Sequence, residues 1–230
     1  TSVKSLKDYI DDGVAKYKLK NYQGAIDDFT QAMELNPDVA DYYNVRGACK
    51  YHLRDLKGAI DDYTQAIELN PDIANYYNNR GEAKYIFADI KGAIDDYTQA
   101  IELDTDIANY YRNRGIAKYI LPDHPGAVSD FDRAIELDSQ HPTSYFWRGL
   151  IQHNRFNFID ANLDYTTAIE LDSQFSDVYI NRCISRYYSE DYQGAISDFI
   201  QAIILKPDGS AITNIQEIER MIDEAKNRLL

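Results

Sequence analysis

The feature that most constrains this 230-residue sequence is a stretch of twelve residues that returns at a fixed interval. Residues 58–69 read GAIDDYTQAIEL, and the same letters stand at residues 92–103. A near copy, GAIDDFTQAMEL, occupies residues 24–35, so both offsets are 34 residues. Self-similarity at a period of this size predicts an array of stacked units, in which each unit contacts only its neighbours.

The repeated stretch itself has the pattern of an amphipathic helix. Ala59, Tyr63, Ala66 and Ile67 stand at positions i, i+4, i+7 and i+8, which form one apolar stripe. The small alanines allow close approach of a neighbouring helix, and the tyrosine fills the remaining space. We therefore interpret the stretch as a packing seam and expect no catalytic role for it.

The period can be followed six times, and each unit contains two helical patterns joined by a short turn. In the second unit we predict a first helix from Asp41 to about Leu53 and a second from about Lys57 to Leu69. Pro71 closes that unit because proline cannot continue a helix. The expected domain organisation is six units within residues 1–209, at 6–39, 40–73, 74–107, 108–141, 142–175 and 176–209, followed by a terminal segment at 210–230.

The terminal segment has its own helical pattern. Thr213 and Gln216 have the spacing of a capping box, which predicts a helix start. An apolar stripe follows, made of Ile215, Ile218, Ile222, Ala225 and Leu229. We interpret this helix as a cap with one polar face that ends the stack in water. A dimerisation helix is the alternative.

The charge of the chain limits its partners. A formal net charge of −14 and a pI near 4.6 argue against nucleic acid, whose phosphates attract clustered Lys and Arg, and against an anionic membrane surface. A neutral or basic partner fits better, although acidity that only maintains solubility is the alternative. No apolar run is long enough for membrane insertion, and no signal peptide is evident, so we expect a cytoplasmic location.

The sequence contains no pattern typical of catalysis or of metal binding. The histidines share no metal-ligand spacing, no CxxC pair is present, and phosphate-binding glycine motifs are absent. Cys49 and Cys183 are too few for a disulfide framework and stand where other units have Ala or Gly, so we expect both to be small buried residues. We expect no enzymatic activity, no cofactor and no metal.

One unit also carries a recognisable motif: Tyr43-x-x-Arg46-Gly47, then Ala59-x-x-x-Tyr63-x-x-Ala66, then Pro71. This motif resembles the tetratricopeptide repeat (TPR), and the resemblance extends over nearly the whole chain. Tyr replaces the usual Trp, and Arg replaces the usual Leu before the glycine. The resemblance implies an all-α fold, a right-handed superhelical solenoid of antiparallel helix pairs, with the first helices lining a concave face.

Charged residues recur with the same period. An aspartate stands at one place in every unit, and an arginine stands at another place in units two to six, whereas the first unit has Asp12 there. An arginine that is missing only from the first unit suggests pairing with the preceding unit. We therefore predict the ion pairs Arg46–Asp28 and Arg80–Asp62, and onward to Arg182–Asp164, with Asp198 left for Arg220 of the terminal helix.

The resemblance places the binding surface on the first helices. Asparagines are frequent in the middle units, where they would bond the backbone of an extended peptide, and apolar residues dominate the C-terminal half, where they would act as anchors. The alternative is that part of this strip is buried against the protein itself or its cap. The candidate groove residues are Tyr51, Asn78, Glu82, Tyr85, Asn109, Arg112, Ile116, Tyr119, Ile120, Phe146, Leu150, His153, Ile184, Tyr187 and Tyr188.

The favoured function is a non-catalytic protein–protein interaction module that binds a peptide or helix of a partner protein in its groove. The expected partner is neutral or basic with apolar anchors, and we expect a monomer rather than a homodimer. A structural or self-assembling scaffold and the regulatory segment of a larger enzyme are the alternatives. The fifth unit is irregular, with Asp160 in place of the turn glycine and Asn162-Leu163 after it, which indicates either a contact surface or sequence drift.

Overall fold

A computed structural model describes residues 4–206 and 215–229, and within these residues every regular element is a helix. This confirms the all-α fold class. The helices are α1 (Leu6–Lys18), α2 (Tyr22–Leu35), α3 (Ala40–His52), α4 (Leu56–Leu69), α5 (Ala74–Ile86), α6 (Ile90–Leu103), α7 (Ala108–Ile120), α8 (His124–Leu137), α9 (Pro142–Asn154), α10 (Phe158–Leu171), α11 (Ser176–Tyr188), α12 (Tyr192–Leu205) and α13 (Ile215–Arg228).

The helices fall into two compact units, Thr1–Asp123 and His124–Leu230. In the first unit each helix packs on the next, so that α1 pairs with α2, α2 with α3, and so on to α7. In the second unit the same sequential packing joins α8 to α13. The predicted helices of the second repeat agree with Ala40–His52 and Leu56–Leu69 to within one residue.

One aspartate makes the turn between the two helices of a repeat compact. The Asp55 N–H donates to the Lys50 carbonyl at 2.9 Å and closes α3, while its side chain accepts from the Gly58 N–H at 3.0 Å and caps α4. Arg54, just before it, has a left-handed φ of 65°. A gap of only three residues between the helices follows from this double use of Asp55.

The packing seam has the composition that the sequence predicted. Ala59, Tyr63 and Ala66 are at most 2% exposed, and Ile67 is 9% exposed. The Tyr63 ring lies so close to Gly47 of α3 that a Cβ there would be 2.9 Å from it. Glycine at this place therefore lets the aromatic ring of the second helix pass against the first.

Cys49 and Cys183 are buried free thiols, as expected for small core residues. Burial raises the pKa of Cys49 to about 11 and that of Cys183 to about 12. Thiols with such pKa values are almost fully protonated at neutral pH, so neither cysteine has the properties of a nucleophile.

The predicted pairing of arginine with the preceding repeat is wrong. Arg46 makes a two-pronged ion pair with Asp62 of its own repeat, with Nη2 and Nε at 2.6 and 2.9 Å from the two carboxylate oxygens. The same spacing of 16 residues joins Arg80 to Asp96, Arg148 to Asp164 and Arg182 to Asp198. Asp198 is therefore paired with Arg182 of its own repeat, so the prediction that it is left for Arg220 is also wrong.

The arginines nevertheless reach the preceding repeat through a different partner. Arg46 Nη1 donates to the Thr30 hydroxyl at 3.2 Å, and Arg80 Nη1 donates to Thr64 at the same distance. In the first repeat, where no arginine stands, Lys16 pairs with Asp28 at 2.6 Å. In every case described, the aspartate is bound by a cation of its own repeat.

The terminal helix α13 packs on α12, as expected for a cap. Ile218, Ile222 and Ala225 are buried, together with Met221, whereas Leu229 is half exposed against expectation. Thr213 of the predicted capping box lies outside the described residues, so the start of this helix stays a prediction.

Candidate binding groove

In the first unit, two adjoining cavities lie along the first helices of successive repeats. One, of about 470 Å³, is lined by residues of α1, α3 and α5, with Tyr63 of α4 at its side. The other, of about 300 Å³, is lined by residues of α3, α5 and α7, with Tyr97 of α6. Tyr51 and Glu82 line both cavities, so the two form one groove across four first helices.

Asparagine side chains bridge successive repeats beneath this groove. Asn79 donates to the Asn44 carbonyl oxygen at 2.9 Å, and Asn113 donates to that of Asn78 at 3.1 Å. Asn113 and Asn78 also donate to one carboxylate oxygen of Glu82, at 3.1 and 2.9 Å. The amides thereby hold Glu82 at the point where the two cavities meet.

The Glu82 carboxylate is partly enclosed by the groove. Among the described residues no basic side chain pairs with it, and its second carboxylate oxygen makes no hydrogen bond. The pKa of Tyr63 and that of Tyr97 are raised well above their ordinary value, first by burial and next by the Glu82 charge. A cationic group entering the groove would therefore meet an unpaired carboxylate.

The predicted groove residues of the first unit fall into three groups. Tyr51, Glu82, Tyr85 and Ile116 line the cavities, and Tyr119 and Ile120 stay partly or well exposed on α7. Asn78 and Arg112 are buried, 3% and 9% exposed, against the expectation that they would be open. Asn78 holds Glu82 and Asn113, and Arg112 donates to Asn109 at 2.9 Å.

Sequence reasoning missed the part that Tyr63 and Tyr97 play here, because it assigned these tyrosines to the packing seam alone. Both rings come from second helices and still reach the cavities. The sequence signal for this second role is the glycine opposite each ring. Gly47 and Gly81 have no side chain that could separate the tyrosine ring from the groove.

In the second unit, several predicted anchors have packing roles instead. Phe146 contacts Phe175 and Tyr165 with ring centroids 5.1 and 6.3 Å apart, as part of a buried cluster between α9, α10 and α11. Ile184 and Tyr187 pack on the core shared by α11, α12 and α13, and Tyr187 is hydrogen-bonded to Glu224 of α13. For Phe146, Ile184 and Tyr187 the alternative interpretation applies, because they pack against the protein itself or its cap.

The remaining candidates of the second unit form a partly open aromatic group on α9 and α11. Tyr188 is 55% exposed and stacks on Phe158 at 5.5 Å, and His153 meets both rings edge-on. Burial lowers the pKa of His153, which favours the neutral imidazole. Leu150, one turn before His153, is half-buried.

Comparisons with known proteins identify the type of repeat. Family models described as tetratricopeptide repeat match residues 40–73 and residues 13–39. The fold is similar to the solved structure of PilF from Pseudomonas aeruginosa, with a TM-score of 0.80, 18% identity, and coverage of 95% of this chain and 97% of that one. The chain contains tetratricopeptide repeats, which the family models match over residues 13–73.

Two further solved structures have a fold similar to that of this chain. YrrB, described as a TPR protein with an unusual peptide-binding site, has a TM-score of 0.66 and 23% identity, covering 80% of this chain and 94% of its own. MamA has a TM-score of 0.67 and 20% identity, covering 70% of this chain and 94% of its own. The comparison with curated proteins found no match.

The described residues of this chain contain neither a metal-binding cluster nor a membrane-spanning helix. No group of three or more His, Cys, Asp or Glu residues among them is arranged to hold a metal ion. No helix in residues 4–206 or 215–229 has the length and apolar character needed to cross a membrane. The tetratricopeptide repeats instead support a role as a protein-interaction module.

Proposed function

We propose that this chain is a non-catalytic protein-interaction module that holds an extended peptide of a partner protein in the groove along α1, α3, α5 and α7. The observation that carries the proposal is the pair of adjoining cavities that share Tyr51 and Glu82. In this proposal the six repeats, with the boundaries expected from the period, are the scaffold of a cytoplasmic monomer.

The chemistry of the groove favours a peptide with a basic residue between apolar ones. Asparagine amides both donate and accept hydrogen bonds, so Asn44, Asn75 and Asn79 can bond peptide backbone of any sequence. Glu82 attracts one Lys or Arg, and the tyrosine rings contact its apolar neighbours and its aliphatic stem. The net charge of −14 favours the approach of a basic segment.

The fold similarity to YrrB supports this proposal, because that protein is described as having a peptide-binding site. The similarity concerns the fold, and the choice of peptide depends on the residues of this chain. Glu82 is the residue that we expect to decide it.

The test is a selection of peptides from a random-peptide display library on the purified chain. We expect the selected peptides to combine apolar residues with a Lys or Arg. Glu82→Gln keeps the acceptor for Asn78 and Asn113 but removes the charge, so binding of these peptides should weaken by about tenfold to a hundredfold, the range for loss of a charge-assisted hydrogen bond.

Glu68→Gln is the matched control, because Glu68 is exposed on the second helix α4. Circular dichroism should show equal melting of both variants. If Glu82→Gln and Glu68→Gln bind the selected peptides as tightly as the original chain, the peptide does not use this groove and the proposal is wrong.

A further inference from the structure

The second unit has an exposed apolar surface on a helix that does not line the groove. Phe156 precedes α10, and Ile159 and Leu163 follow one and two turns later on α10. Their side chains are 81%, 79% and 68% exposed. These three residues are called the α10 outer face below.

No other repeat has a large apolar side chain at the three equivalent places, which makes this surface specific to the fifth repeat. In the second repeat, Arg54, Lys57 and Asp61 stand where Phe156, Ile159 and Leu163 stand in the fifth. The scaffold therefore does not need large apolar side chains at these places. Three exposed apolar side chains in one repeat indicate a contact surface, because exposed apolar patches mark interaction sites.

A cavity of about 220 Å³ adjoins this face between α8, α9 and α10. Leu163 belongs both to the outer face and to the lining of the cavity. Three carboxylates line it, those of Asp132, Asp160 and Asp164, and among its lining residues in the described chain Arg148 is the one basic side chain.

The charge balance of this cavity differs from that of the other repeats. Asp62 of the second repeat is paired with both Arg46 and Lys50, at 2.6 and 2.8 Å, and the third repeat has the same arrangement with Arg80 and Lys84. In the fifth repeat, Gln152 replaces that lysine and lines the cavity.

Arg148 forms ion pairs with two carboxylates at once. Its guanidinium lies 2.6 Å from Asp164 and 2.7 Å from Asp132. Asp132 occupies the place of Thr30 and Thr64, whose hydroxyls Arg46 and Arg80 contact in the preceding repeat. Burial raises the pKa of Asp164, Arg148 lowers it, and the charges of Asp132 and Asp160 raise it further. One cation has been lost and two carboxylates added relative to the second repeat.

The missing charge identifies the chemistry of the occupant. Among the described residues no three acidic or histidine side chains are placed to hold a metal ion, which argues against a bound metal. A second copy of this chain carries a net charge of −14 and is disfavoured at an acidic surface. A partner's Lys or Arg with apolar neighbours satisfies both the cavity and the outer face.

We propose that the α10 outer face and its cavity form a second docking surface, for a partner segment with apolar side chains and one Lys or Arg. The apolar side chains cover Phe156, Ile159 and Leu163, and the cationic group enters the cavity at the place that a lysine of the chain itself occupies in the second and third repeats. This surface is independent of the groove proposed above.

The test uses substitutions that copy the second repeat. Ile159→Lys with Leu163→Asp restores the polar surface, and Gln152→Lys restores the missing cation. Peptides are selected from a random-peptide display library on the Glu82→Gln chain, so that the groove contributes less. We expect apolar peptides with Lys or Arg whose affinity falls about tenfold or more with the double variant and also with Gln152→Lys, because an apolar anchor or a charged contact is lost.

The double variant changes only exposed side chains, so its thermal unfolding should match that of the original chain. The proposal is overturned if no selected peptide depends on the outer face, or if the peptides bind all variants equally. It is also overturned if light scattering shows a dimer that the double variant abolishes, because the occupant is then a second copy.

Discussion

At the scale of single residues, the aspartate of each second helix is the most demanding position of the scaffold. Asp62 is 3% exposed and is bound by Arg46 and Lys50 at the same time. Its neighbour Asp61 is exposed to water. Two adjacent carboxylates of identical chemistry therefore have opposite surroundings, and the sequence distinguishes them only through the position of each on the helix.

We expect Asp62→Ala to lower the free energy of unfolding by about 3–5 kcal/mol, because it leaves two cations partly buried without their partner. Asp61→Ala should change it by less than about 0.5 kcal/mol, as is usual for exposed positions. Urea unfolding followed by circular dichroism measures both values. Equal effects of the two substitutions would show that the ion pair adds nothing to stability.

At the scale of elements, the start of the second helix depends on an aspartate and a glycine together. A Cβ at Gly58 would lie 2.2 Å from the Asp55 carboxylate, so the capping side chain fits only against glycine. In the fifth repeat, Asp160 replaces this glycine, and the Asn157 side chain makes no capping bond but donates to Asp160. The irregular repeat has thus lost a cap that most of the others keep.

This difference predicts unequal effects of removing the first-turn residue. Asp55→Ala should lower the free energy of unfolding by about 0.5–2 kcal/mol through loss of the N-cap bond. Asn157→Ala should lower it by less than about 0.5 kcal/mol, since no cap is lost. Chemical denaturation of both variants provides the comparison, and a larger effect at Asn157 would contradict the assignment of the cap.

At the scale of the whole molecule, the repeats bury many groups that ionise only at alkaline pH. Burial raises the pKa of Cys49 to about 11 and of Cys183 to about 12, from 9.0. Burial also raises the pKa of Tyr63 and of Tyr97. The folded chain therefore holds protons that the unfolded chain releases.

Stability should accordingly fall as the pH rises above about 9. Between about pH 9 and 11 the folded state binds more protons than the unfolded state, so the free energy of unfolding decreases by up to roughly 1.4 kcal/mol per pH unit for each such thiol. Urea unfolding at about pH 8, 9.5 and 10.5 measures the slope. Cys183→Ala should make the slope shallower, and a constant free energy over this range would show that these groups ionise while folded.

The helices and the seam were predictable because they depend on residues close together in sequence. The spacing of Ala59, Tyr63 and Ala66 predicted both the helix and its buried face correctly. The groove was less predictable. Phe146 and Tyr188 are both aromatic residues on first helices, yet Phe146 packs on Phe175 while Tyr188 is more than half exposed. That difference depends on which side chains arrive from neighbouring helices.

By itself the sequence determined the all-α fold class, the two-helix unit, the turn residues and the buried stripe of each second helix. Tertiary structure alone decided the partners across helices, and the reason lies in the repeat. Residues 34 positions apart occupy equivalent places, so a periodic pattern cannot say whether Arg46 pairs with Asp62 or with Asp28. Only packing brings Asp62 to 2.6 Å from Arg46 and gives Thr30 the remaining contact. Packing also leaves Glu82 without a basic partner among the described residues.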